Sequence, residues 1–518
     1  MSLRNRLRKR TDSKQKDSLL PDLQINVQKV KEMLGDSSDL NLREIKVGRD
    51  GLTLGVMYIE GLVDTKVVNN NLLEPLQSLS TSSADIEGLV KGDPDRLIDA
   101  SIYVVGVDKV RDFPSLSQAL LSGDTVILID GEEQGYAVDT RGGGERGVTE
   151  PSSQSVVRGP REGFSENLRT NTALIRRRVR DTHLRLETRS IGRVTKTEIG
   201  IMYIQGIVND KIVEEVRRRL DRIDIDSILE SGYIEELIQD ETFTPFPTVY
   251  NTERPDIVAG SLLEGRVAIL VNGTPFVLLV PSLFVEFFQS VEDYYQRADI
   301  ATLLRLLRFL AMSINLLLPS LYIAITTFHQ ELLPTTLLYT LAAQREGVPF
   351  PAFVEALLME SLFEILREAG IRMPRAIGQA VSIVGTVVIG LTGVQAGLAS
   401  AAMTIVVSVT AISSFIAPAY NIAISVRILR YLFMAAAASF GLYGITIGLI
   451  ALVLHLCSLR SFGVPYMSPF APFDWSDQKD SFFRVPLWNM ITRPRLLAPK
   501  NRRRENTPPP SPQAEGGE

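Results

Sequence analysis

The chain has 518 residues, room for two to four domains, and an averaged composition that looks globular, with 22% charged residues and a net charge of −5. One cysteine, Cys457, excludes an intrachain disulfide framework, and three scattered histidines (His183, His329, His455) offer no zinc-site spacing. The average hides two unlike halves: no lysine occurs between Lys211 and Lys479 and no aspartate between Asp299 and Asp474, as expected where one half faces lipid and charge is costly.

Residues 1–41 read as a flexible basic lead-in. Met1 to Arg10, MSLRNRLRKR, has no apolar run behind it, so a signal peptide is not expected, and a solvated tail fits it better than a nucleic-acid contact. The first strong strand signal is LTLGVMYIEGLV at 52–63. A close copy follows later: GVMYIEGLVDTKVV at 55–68 against GIMYIQGIVNDKIV at 200–213. A second pair comes in the same order, TVILIDGEEQGYAV at 125–138 and RVAILVNGTPFVLLV at 266–280, each with the Gly-containing turn of a β-hairpin. The fold expected for the first half is therefore α/β, two tandem duplicated subdomains at 42–140 and 184–281. Between them, 141–183 reads as a linker. Its RGGGERG lacks the Lys-Ser/Thr of a phosphate loop, and its arginine cluster (Arg158, Arg161, Arg169, Arg176, Arg177, Arg178, Arg180) fits either a subunit or headgroup contact or a charged helix face.

Residues 282–457 read as an α-helical membrane domain with four spans, at about 309–328, 381–397, 400–416 and 428–457. An amphipathic helix at 353–369 carries Glu355, Glu360, Glu364 and Glu368, either a solvated face or a cation-attracting vestibule. Basic residues at both termini and Arg305 and Arg308 before the first span place the soluble module on the cytoplasmic side, with Arg427 and Arg430 in conflict with a four-span count. Residues 458–518 form a cytoplasmic tail, disordered by composition from about 500.

Gly393 and Gly397, and likewise Gly444 and Gly448, have the spacing for close helix packing. On a helix through 381–400, Val384, Val388, Leu391 and Gln395 share the face opposite the small residues, which suits either a narrow pore closed by an apolar gate or ordinary packing with Gln395 bonded to a neighbour. No catalytic pair is legible, so neither an enzyme nor a cofactor or metal is expected.

The stretches VVRGPREGFSENLRTNTALIRRR, FPTVYNTERPDIVAGSLLEGRVAILVNGTPFVLLVP, SVEDYYQRADIATLLRLLRFL, LPSLYIA, VPFPAFVEALLMESLFEILREAGIRMP, IGQAVSIVGTVVIG and SFGVPYMSPFAP closely resemble the GerA family of spore germination proteins, A-type subunit. The resemblance implies a subunit in the spore inner membrane, working with a transporter-like B subunit that binds the nutrient and a lipoprotein C subunit. It implies a homo-oligomeric ring, a pentamer, around a nutrient-gated cation channel. A SpoVAF-like branch that amplifies ion release and a non-conducting scaffold are the alternatives. A secondary transporter fits less well, because the internal repeat lies in the soluble half.

Overall fold

The computed structural model of the chain describes residues 18–47, 52–81, 95, 98, 106–142, 150–151, 154, 156–373 and 390–510. Two compact units emerge: Met1–Ile238 with Asn251–Pro281 and Arg493–Arg504, and Gln239–Tyr250 with Ser282–Thr492 and Glu505–Glu518.

The first unit is built on two five-stranded antiparallel sheets. Strands β1 (Leu40–Val47), β2 (Leu52–Ile59), β3 (Val107–Val110), β4 (Thr125–Ile129) and β5 (Gly135–Val138) form one, in the order β1-β2-β4-β5-β3. Strands β6 (Leu184–Ile191), β7 (Thr197–Ile204), β8 (Tyr250–Thr252), β9 (Val267–Val271) and β10 (Val277–Val280) form the other, in the order β6-β7-β9-β10-β8. Met57 stands opposite Leu42 and Val126, and Met202 opposite Leu186 and Ala268. The central strands are buried on both faces, as their near-continuous apolar runs require.

The structure moves the start of each half about 20 residues upstream of the sequence reading. The lead-in contains an ordered helix, α1 (Leu23–Leu34), with Leu23, Val27, Val30 and Leu34 in the core, and the linker contains a second, α3 (Leu168–Arg178). Between them in the chain lies α2 (Phe113–Ser122). The same bonds tie α1 and α3 down. Asp22 and Asn167 cap the first free amides, and Asn26 and Asn171 clasp the backbone of Leu20 and Ser165. Asp130 and Asn272, from the two hairpin turns, accept from the amides of Leu23 and Leu168. The arginine run ends α3, where cations suit the helix C-terminus, but Arg176 turns inward and is fully buried against Asp39 while Arg177 stays exposed.

Helix α4 (Asp210–Asp221) sets Arg217 on Glu187 of β6, with Tyr203 bonded to the same carboxylate at 2.7 Å. Burial pushes the Glu187 carboxyl up, but the hydrogen bonds from Arg217 and Tyr203 outweigh it and hold the group below its ordinary range. With a depressed folded-state value, the contribution is complete above the ordinary glutamate range and disappears as pH falls through the folded-state value. Glu187→Gln should therefore lower the melting temperature at neutral pH and converge with the wild type in acid. Parallel melting curves across that range would refute this.

Helix α5 (Pro255–Leu263) and the loop after it receive the end of the chain. Leu497 and Ala498 are fully buried, with the Leu497 carbonyl 2.9 Å from where a Cβ at Gly265 would stand. Arg493 donates to the Leu263 carbonyl at 2.7 Å, and Lys500 pairs with Asp210. The expectation of disorder from about 500 is thus corrected up to Arg504, because specific backbone and ion-pair contacts override a polar composition.

In the second unit, α6 (Ala298–Thr327) begins eleven residues before the span expected at 309, and so includes Arg305 and Arg308. Then come α7 (Thr335–Arg345), α8 (Ala352–Arg372), α9 (Ala401–Ser414) and α10 (Tyr420–Ser458). By length and composition only α6 and α10, among the described residues, suffice to cross a membrane, and α10 does so only when counted as one element across its break at Gly441; α9 is shorter. The span expected at 381–397 lies mostly outside the described residues, and its described end is not one regular helix: Gly397 has φ +68° and follows a single turn at Gly393–Gln395. Residues 460–465 form a small hairpin rather than a free tail, and Tyr466 beyond it is fully buried.

Candidate functional site

The second unit buries charge and exposes apolar side chains. Leu303, Leu432, Phe440, Tyr443 and Leu454 are all exposed, whereas Arg305, Asn315, Glu355, Glu360 and Arg430 are almost completely withdrawn from solvent. That arrangement inverts the soluble pattern, in which charged residues are rarely buried and large apolar patches are rarely bare.

Three buried polar clusters result. At the start of α6, Asp293 accepts from Arg305 Nε at 2.8 Å and from Arg308 Nη1 at 2.8 Å on both oxygens, while Arg305 also reaches the Asp480 carbonyl at 2.8 Å. In the second cluster, Glu355 Oε1 takes the amide of Ser400 at 2.6 Å and its hydroxyl at 2.7 Å, which holds the residue whose side chain caps α9 at the Met403 amide. The third joins three helices. Arg430 of α10 lies 3.0 Å from Glu360 and donates to Glu364, both of α8, and to Asn315 of α6. Arg427 approaches Glu364 from the same side at 3.5 Å.

Arg427 and Arg430, which conflict with a four-span count, thus face acids of α8. It also corrects the reading of the glutamate helix. Glu355 and Glu360 point inward to Ser400 and Arg430; Glu364 is mostly covered by Arg367, Arg427 and Arg430, and only Glu368, paired with Arg372, is exposed. The missing signal was long-range, since Glu355 and Glu360 find their partners, Ser400 and Arg430, outside α8.

The glycine pairs fare differently. Gly393 has open space around it and Gly397 is a left-handed turn beside the Gly347 carbonyl, so the two do not share a helix face. Helix α10 is interrupted at Gly441 (φ 59°, ψ −141°), where the chain reverses. Gly444 then abuts the Ala436 carbonyl, and a Cβ at Gly448 would stand 3.0 Å from the Phe433 ring. Residues 8 and 15 apart cannot meet along one straight helix rising 1.5 Å per residue, so α10 is a tight hairpin of two arms. A residue with a Cβ at 441 would meet His329 Cε1 at 2.6 Å. Gly441→Ala should cost about 1–3 kcal/mol from backbone strain alone, measured as lost thermal stability in mild detergent; an unchanged transition would count against the reversal. Leu391 and Gln395 are exposed, and Val384 and Val388, their expected companions, lie outside the described residues.

Residues 28–496 match the family model described as Bacillus/Clostridium GerA spore germination protein. The chain belongs to the GerA family. It is 51% identical over 489 residues to spore germination protein KA of Bacillus subtilis (strain 168), covering 94% of this chain and 88% of that one. Spore germination protein GerLA of Bacillus cereus is 41% identical over 477 residues, 92% and 95% of the two chains. The crystal structure of the N-terminal domain of the A subunit of the Bacillus megaterium spore germinant receptor GerK3 is 42% identical, covering 52% of this chain and 97% of that domain, with a TM-score of 0.40.

Proposed function

We propose that this GerA-family A subunit inserts its second unit in the spore inner membrane and assembles into a homo-oligomeric ring, a pentamer, whose helices form a nutrient-gated cation channel. The observation that carries the reading is the inverted burial of the second unit, with apolar side chains outside and Arg430, Glu360 and Asn315 inside. Such faces call for lipid or another copy of the chain, and the buried polar groups suit a unit that must open to water. The family resemblance adds a transporter-like B subunit that binds the nutrient and a lipoprotein C subunit as partners, and the basic termini favour a soluble module on the spore-core side. The chain itself catalyses no reaction in this reading. Purified receptor reconstituted in liposomes should pass potassium on addition of nutrient; liposomes that stay tight with correctly assembled receptor would overturn it.

The recurring strand order and the matched Asp22/Asn26 and Asn167/Asn171 bonds further support a tandem duplication of one α/β subdomain in the soluble unit. Helix α1 and sheet one should then superimpose on α3 and sheet two as single bodies in an experimental structure.

A further inference from the structure

Glu360 and Arg430 sit on α8 and α10, and neither reaches solvent, at 0% and 1% side-chain exposure. Glu360 Oε2 lies 3.0 Å from Arg430 Nη1, yet neither carboxylate oxygen is in hydrogen-bonding geometry, and Arg430 Nε is without a hydrogen-bond partner too. The guanidinium is stretched between three helices, because Nη2 turns to Glu364 Oε1 at 3.2 Å and Nη1 to Asn315 at 3.3 Å. A carboxylate taken out of water and bonded so incompletely loses more hydration than one misaligned cation offsets. An arrangement that lets water reach Glu360 recovers that loss, and packed helices with two such alternatives switch discretely.

We propose that the Glu360–Arg430 pair is the latch of this subunit: it holds α6, α8 and α10 in the closed arrangement, and gating parts the pair and hydrates it. The latch rests on the channel reading above and adds to it which contact must break. Its logic fixes the sign of two different substitutions. Arg430→Met leaves Glu360 buried with no cation of its own, so the hydrated arrangement gains. Glu360→Met with Arg430→Met removes both charges and fills the site with apolar volume, so the closed arrangement gains.

The test uses spores carrying the full-length chain in its receptor, with potassium release followed with and without nutrient and subunit abundance measured in the membrane. Arg430→Met should raise nutrient-independent release by about tenfold or more. The double variant should be as quiet as the wild type without nutrient and respond about tenfold more slowly with it. Arg430→Met at normal abundance with wild-type release overturns the latch, as does a double variant that responds like the wild type. If Arg430→Met does not accumulate, the double variant decides alone, and its own failure to accumulate would also overturn the proposal, since it carries no unpaired charge. Liposomes separate the two readings. No nutrient-triggered flux from the wild-type receptor removes the channel, whereas flux from the wild type with no change in Arg430→Met removes only the latch.

Discussion

Arg176→Met should destabilise the first unit by about 3–5 kcal/mol, the loss expected when one partner of a buried ion pair is removed. Arg176 is fully buried and grips Asp39 through two nitrogens, with Nη2 2.8 Å from Asp39 Oδ1 and 2.8 Å from the Ser37 hydroxyl. Ser37 and Ser38 in turn bond the edge of the second sheet, at Leu186 and Thr188. The pair therefore locks one half of the unit to the other. Removing the arginine strands Asp39 at 6% exposure with one hydroxyl for company. Adding Asp39→Leu should recover most of the loss. The measurement is urea unfolding followed by hydrogen exchange in β1 and β6. Exchange that accelerates in neither strand would show that the halves are joined by something else.

Asp293→Ala should be as severe, again about 3–5 kcal/mol, because a single carboxylate serves two buried arginines. Arg305 retains Asp480 as a partner, but among the described residues Arg308 would keep only the Phe288 carbonyl, at 3.2 Å. The expected result is a collapse of folded subunit in the membrane fraction, partly restored by Arg308→Met, which removes the stranded cation. Normal yield and melting temperature for the single variant would mean that water reaches Arg308 and that its burial is incomplete.

What the sequence disclosed follows from the range of the interactions. The two hairpins and their strand copies were legible, since alternation and a Gly turn are local patterns. The helices before them were not, although Asp22 with Asn26 and Asn167 with Asn171 repeat one polar spacing in both places. Arginine and lysine in the lead-in masked that signal. Nothing in the run Arg176-Arg177-Arg178 says which member turns inward, because its partner stands 137 residues away. Likewise the four glutamates of α8 read as one exposed stripe, until Ser400 and Arg430 supply what two of them face. Gly441 was hidden for the opposite reason: the run around it is uniformly apolar, and a single glycine gives no clue that the helix doubles back. The helix face that carries Gln395 presumes one regular helix through Gly397, where the backbone is left-handed.

The buried Leu497 and Ala498 have a consequence for synthesis of the protein. The first unit contains residues from Leu19 to Arg504, and the described helices of the second unit are all made between its last strand and this closing segment. The ribosome has delivered the entire apolar half before Arg493 can reach the Leu263 carbonyl, 230 residues earlier in the chain. Until then the loop around Gly265 lacks its cover, and a contact of such long range is slow to form. The first unit thus stays uncovered at Gly265 until synthesis has passed Arg493, and chains truncated before that residue would never close it.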